Sequence, residues 1–230
     1  MEQILILFNE RYEGNWDLIY QAIKNSEFQK INLEKIKSIK NDQINIMTIL
    51  DDKYPNKFKN IYMPPFIIFN KGNINLIDKQ VIAIWGNVEP EYFLKNKLSK
   101  NIVYSFSWNA KNHLTAKKLI NFGYKIILVD KNGYKKSIIT SIDSNNLLYI
   151  SEMPKNSKIN DDYPELQKMN RLLNAVSDKV LLLNANEKTV LECEKIAKFE
   201  NKEVYSFNDE SEFLKNQKGI KLVNSINEIW

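Results

Sequence analysis

Cysteine, histidine, glycine, proline and arginine are all scarce in this chain. Its 230 residues hold one cysteine, one histidine, six glycines and six prolines. Two arginines, Arg11 and Arg171, are the whole complement. A single cysteine, Cys193, excludes an intrachain disulfide and a cysteine metal cluster, and fits a reducing, cytoplasmic setting. His113 has no second histidine or cysteine pair beside it, so no metal is expected. A histidine-driven triad would need a nucleophile brought near it in space, which sequence does not show. No apolar run approaches the ~18–20 residues that span a bilayer, so no membrane is expected. The start, MEQILILFNERYEGNW, lacks a basic opening and a small-residue cleavage site, so no signal peptide is expected.

What is present is lysine, asparagine and isoleucine in abundance. That bias, with few glycines, prolines and arginines, fits an AT-rich coding sequence. Lys+Arg number 33 against 28 Asp+Glu, for a net charge of +5. A modest positive balance permits polyanion binding, and a solvated lysine surface is the bland alternative. Hydrophobic residues make up 43% and charged residues 27%, the composition of a soluble globular protein. The length suits one domain, or one with a small appendage.

Residues 1–52 read as a small helical region. Trp16, Ile19, Tyr20 and Ile23 recur at helical spacing, and Ile31, Ile36 and Ile39 do so more loosely. Residues 44–50 lead into an extended segment, and Pro55, Pro64 and Pro65 then punctuate the chain. From residue 53 to 230, strands and helices alternate. Strands are predicted at 66–69, 80–85, 102–106, 125–130, 147–151, 179–183 and 203–207, with a further run at 220–223. Helices are predicted near 89–99, 110–122, 166–176, 188–200 and 209–216. Strands such as KIILVD and KVLLLN are continuous apolar runs, which suit a sheet covered on both faces. The expected class is α/β: a Rossmann-like, mostly parallel sheet with helices on both faces, preceded by the small helical segment.

Ligands of such sheets sit beyond the carboxyl ends of the strands. That singles out the turns after Trp85, Tyr104, Ile150 and Leu183. The first, Gly86-Asn87-Val88, has one glycine where a dinucleotide site wants G-x-G-x-x-G, so no nicotinamide or flavin cofactor is expected. One glycine still lets backbone N–H groups meet a phosphate, and a plain tight turn is the alternative. The second turn, around Ser105 to His113, has no glycine to wrap an anion. Its Trp108 is either a stacking face for a base or a lid over the core. The third, Ser151-Glu152-Met153-Pro154, leads to LQKMNRLLNAVSD. There Leu166, Met169, Leu172, Leu173 and Val176 trace a buried helical stripe. Asn170 and Arg171 stand at its start, expected to face partly outward, as a phosphate-and-base contact or as a surface salt bridge.

The order of these motifs resembles the DprA/Smf family of DNA-processing proteins, from about residue 45 to 225. ILDDKYPNKFKNIYMPPFIIFNKGN is similar to the family's entry segment, and VIAIWGN to its first core strand. ISEMP resembles its Ser-Glu-x-Pro turn, and LQKMNRLLNAVSDKVLLLNA its Arg-Asn-Arg helix and the strand that follows. KIAKFENKEVYSF resembles the next helix and strand. There are departures. The arginine after Gly-Ser falls on Val88, and the glycine-rich Ser-Gly-x-Ala-x-Gly-Ile-Asp segment falls on Ser105–Asn112 without its glycines or aspartate. Met169 stands for the first arginine of Arg-Asn-Arg, and Lys188-Thr189-Val190 for a Ser-Gly-Ser turn. No room is left for the winged-helix appendage of some members.

The resemblance implies binding of single-stranded DNA without sequence preference and loading of a RecA-type recombinase, in a homodimer, with no reaction catalysed and no cofactor. Carried over by position, the implied contacts are Gly86, Asn87, Ser105, Ser151, Glu152, Asn170 and Arg171, with Lys168 among the lysines that compensate for lost arginines. Lys111, Lys117 and Lys155 are the others, as point charges without arginine's fork. Two alternatives stand. One is a degenerate interaction module that keeps the fold and has lost DNA affinity. The other is a nucleotide phosphoribohydrolase-like enzyme, for which LNANEKTVLE lacks the glycine-rich turn and Glu152 would be the sole acid.

Overall fold

The computed structural model describes residues 1–27, 44–135, 145–208, 212–215 and 217–230. The apolar runs become strands β1 (Asn45–Thr48), β2 (Ile67–Gly72), β3 (Val81–Gly86), β4 (Val103–Ser107), β5 (Lys125–Asp130), β6 (Leu147–Ser151), β7 (Lys179–Leu183), β8 (Val204–Phe207) and β9 (Ile220–Val223). They form one sheet in the order β1-β2-β6-β5-β4-β3-β7-β8-β9. From β6 across to β9 every neighbouring pair is parallel. β2 pairs antiparallel with β6 and with β1. The sheet therefore begins at Asn45, within residues 44–50 that the sequence reads as leading into an extended segment and before the boundary placed at residue 53.

Strand β3 shows why the runs are continuous. Val81, Ala83 and Trp85 point to one face, and Ile82 and Ile84 to the other. Both faces are covered, so alternation of polar and apolar residues is not required. Each such aliphatic side chain contributes roughly 1.5–3 kcal/mol on burial.

Helices in chain order are α1 (Glu2–Arg11), α2 (Trp16–Lys24), α3 (Asn56–Lys59), α4 (Pro90–Lys95), α5 (Ala110–Asn121), α6 (Glu165–Lys168), α7 (Arg171–Ala175), α8 (Glu187–Phe199) and α9 (Glu212–Lys215). Over one face lie Leu5 and Ile6 of α1, Phe93 of α4, and Ala116 and Leu119 of α5. The other face takes Phe58 of α3, Leu172 and Leu173 of α7, and Val190, Cys193 and Ile196 of α8. The helix predicted near 89–99 is thus shorter. Ile31, Ile36 and Ile39 lie outside the described residues, as does the start of the helix predicted at 209–216.

The helix predicted over 166–176 is two. Met169 takes an extended conformation (φ −89°, ψ 112°) and ends α6, and Asn170 (φ −44°, ψ 59°) caps α7. The break lets Asn170 donate from Nδ2 to Ser107 Oγ at 2.8 Å, at the carboxyl end of β4.

The α1–α2 hairpin is keyed to the segment after β6 by polar contacts. Asn9 Nδ2 donates to the Glu152 carbonyl (3.2 Å), and Asn15 Nδ2 to that of Asp162 (3.1 Å). Tyr163 Oη donates to the Glu13 carbonyl (2.8 Å). Gln167, fully buried, donates to the Gly14 carbonyl (2.7 Å) and accepts from Trp16 N–H (3.1 Å). Indole stacking of Trp16 on Tyr20 and Phe66 completes the seat.

Candidate functional site

At β3 the strand order changes direction, with β4 on one side and β7 on the other. A crevice between the turns after β3 and β7 is the ligand position of such a sheet. Its floor begins at Gly86, whose φ of +117° favours glycine. A Cβ there would lie 2.1 Å from the Leu183 carbonyl oxygen, so β7 approaches too closely for any side chain. The next N–H, that of Asn87, donates to the same carbonyl at 2.8 Å. The glycine thus serves strand pairing, and the Asn87 N–H is committed to β7. Across the crevice Asn184, held at φ +44°, donates from Nδ2 to Tyr92 Oη of α4 at 2.7 Å.

Side chains supply the polar mouth. Lys111, in the first turn of α5, donates to Glu89 Oε1 at 2.7 Å and to Asn87 Oδ1 at 3.3 Å. Hydrogen bonds from Lys111 and then Asn87 hold the Glu89 carboxyl below its ordinary range. Asn109 caps α5 by accepting from Asn112 N–H. Trp108 packs partly buried against the core, with its Nε1 enclosed and unpartnered among the described residues. It is a lid more than an open stacking face. His113 lies on α5, its pKa lowered by burial and then by Lys117.

The expected contacts separate into two groups. Gly86 is exposed, Asn87 and Lys168 are half-buried, and all lie on the carboxyl edge. Ser105, Ser151, Glu152, Asn170 and Arg171 are buried. Ser105 is inside β4, because that strand runs on to Ser107 instead of turning after Tyr104. Its neighbours there are Ala83 of β3 and Ile127 of β5. Ser151 Oγ donates to the Asn132 carbonyl (2.7 Å) and accepts from Met153 N–H (3.0 Å), fixing the turn after β6.

Arg171 corrects the expectation of an outward-facing side chain. It is 2% exposed, and its Nη2 donates to Glu152 Oε2 at 2.6 Å in a fully buried ion pair. Burial pushes the Glu152 pKa up, and the guanidinium opposes that shift. Nε and Nη1 of Arg171 have no partner among the described residues. Arg171 is the first residue of α7, directly after the helix break at Met169–Asn170. Asn170, 7% exposed, offers its Nδ2 to Ser107 and leaves Oδ1 enclosed without a partner among the described residues.

Two features of this edge escaped the sequence reading. One is Glu89, whose partner Lys111 is 22 residues away and meets it only through the parallel pairing of β3 and β4. The other is Asp130 at the end of β5, where DKNGY was the available signal. Tyr149 Oη donates to its Oδ2 (2.8 Å) and Asn132 N–H to its Oδ1 (2.9 Å). Desolvation, against those hydrogen bonds, pushes the Asp130 pKa up from 3.8 to about 6. A raised acid pKa means that the folded state holds the proton more tightly. Its stabilising share is present below pH 3.8 and lost as pH rises through about 6. Asp130→Asn is therefore expected to flatten the stability profile across that window, and urea unfolding at pH 4, 5, 6 and 7 measures it. An unchanged slope would place the titration elsewhere.

Exposed lysines ring the same edge. Lys131 follows β5, Lys155 and Lys158 follow β6, and Lys188 opens α8. Glu187 and, further along the loop, Asp161, Asp162 and Glu165 interrupt the ring.

Residues 45–106 match the sequence model of a family described as DNA recombination-mediator protein A, a span that runs from β1 to β4. No curated protein sequence matches the chain. Among solved structures it is similar to DNA processing protein A (DprA) from Streptococcus pneumoniae. There the TM-score is 0.66 at 19% identity, covering 99% of this chain and 92% of that one. It is also similar to DNA processing protein A from Helicobacter pylori, a structure described for its single-stranded DNA binding mode. That match has a TM-score of 0.60 at 19% identity and covers 82% of this chain and 95% of that one. The family resemblance carried by the motifs is thus met again in the family's own sequence model and in the fold. No helix among the described residues is long and apolar enough to cross a membrane.

Proposed function

We propose that this chain works as a member of the DprA/Smf family and binds single-stranded DNA without sequence preference along the carboxyl edge of its sheet. The observation that carries this reading is the carboxyl edge of the sheet, with Lys111 beside the β3 switch point and exposed lysines further along, in a fold shared with a DprA protein whose structure concerns single-stranded DNA. Backbone phosphates are then met by Lys111, Lys131 and Lys168 as point charges, with Asn87 as a neutral partner. Arg171 and Glu152 hold the floor of the site in shape instead of touching the strand. Loading of a RecA-type recombinase, and assembly as a homodimer, extend the same reading to protein partners. On this account the protein is a binding module that catalyses no reaction and needs no cofactor.

Fluorescence anisotropy of labelled oligo-dT at two salt concentrations tests it. Micromolar or tighter affinity that falls with salt is expected, at a slope of about −0.7 for each phosphate neutralised. A protein that is folded yet binds no oligo-dT at low salt would leave the interaction-module reading in its place.

A further inference from the structure

The ion pair at the mouth of the crevice joins two turns that the pairing of β3 with β4 brings side by side. Lys111 and Glu89 come from different turns, after β4 and after β3, and they meet at 2.7 Å. Their side chains are 62% and 36% exposed, so water and salt reach the pair. Such pairs contribute little to stability and exchange partners readily. Asn87 adds its Oδ1 to the same ammonium. Meanwhile the Asn87 backbone N–H is held by Leu183 and is not free to receive an anion. The Asn87 N–H therefore offers an arriving anion nothing, and Lys111 is a side-chain cation that stands at this mouth.

We infer that Glu89 occupies, from within the chain, the place at Lys111 that a DNA phosphate takes, so that binding exchanges one carboxylate for one phosphate. A carboxylate and a phosphate oxygen are equivalent acceptors for an ammonium, which acts as a compact point charge with rotatable donors. The exchange breaks no covalent bond and moves no proton. It makes Glu89 a built-in competitor that lowers affinity and favours release, and it rests on the DNA-binding reading given above.

Labelled oligo-dT, anisotropy and three single variants test it. Glu89→Gln is expected to tighten binding by about two- to fivefold, the size of an exposed ion pair. Glu91→Gln, an equal charge change two residues away on the exposed side of α4, is expected to leave the affinity unaltered. Lys111→Gln should weaken binding and reduce the salt slope by about 0.7. Equal gains from Glu89→Gln and Glu91→Gln would mean that net charge alone is felt, and would overturn the exchange. So would an unaltered affinity in Glu89→Gln while the parent protein binds. If neither the parent nor any variant binds, the DNA-binding reading falls and the inference falls with it. Circular dichroism of each variant checks that the fold is kept.

Discussion

Arg171→Ala is expected to lower the unfolding free energy by about 3–5 kcal/mol, the cost of breaking a buried ion pair by removing one partner. Glu152 is fully buried, and in the variant its carboxylate would have no counter-charge at 2.6 Å. The carboxyl would then answer by holding its proton. Burial has already raised the folded pKa, and loss of the guanidinium raises it further. Stability from such a group is present at low pH and lost as pH rises through the folded pKa. The deficit of Arg171→Ala should accordingly be smaller at pH 5 than at pH 8. The double variant Arg171→Met, Glu152→Leu should recover most of the loss, since two apolar side chains replace two desolvated charges. Urea unfolding of the three proteins at both pH values decides the matter. A single variant as stable as the parent at pH 8 would show that the pair is not buried in solution. A loss of DNA binding in Arg171→Ala, taken alone, would therefore report on the fold of the floor.

Gly86→Ala should be nearly as damaging, for a reason of backbone and not of charge. The added methyl would sit 2.1 Å from the Leu183 oxygen, 3.0 Å from its carbonyl carbon and 3.1 Å from the Ala185 Cα. All three are backbone atoms, so no side chain can swing aside. The residue would also remain at φ +117°, a region costly for any residue with a Cβ. A loss of about 3 kcal/mol is expected, since strain and a forced separation of β3 from β7 add together. For a chain of this size that corresponds to a melting midpoint roughly 6–12 °C lower. Thermal unfolding measures it, and a fall of under a degree or two would refute the close approach.

The sheet could be read from the sequence because a strand covered on both faces is apolar at every position. KIILVD and KVLLLN signal their state locally and became β5 and β7. The site was less legible, because its parts are set by distant partners. Arg171 looked like a surface cation, and nothing within its own helix says otherwise. Its buried partner is Glu152, just past the end of another strand, and the helix break at Met169 that precedes it is not registered by apolar spacing. Ser105 was assigned to a turn because a short apolar run hides where β4 stops. Gly86 was visible as a glycine, and its reason was not. A phosphate-binding turn and a tight strand pairing ask for the same residue, and only the position of Leu183 separates them.

The hairpin at the amino end leads to a different kind of statement, about order in time. Asn9, Glu13, Gly14, Asn15 and Trp16 find their hydrogen-bond partners at residues 152 to 167. A ribosome that has just released α1 and α2 has yet to make what they rest against. Contacts of such wide sequence separation close late, since the intervening chain must first be gathered. The hairpin is therefore expected to join a sheet that is already assembled, as the last latch to close in folding and the first to open in partial unfolding.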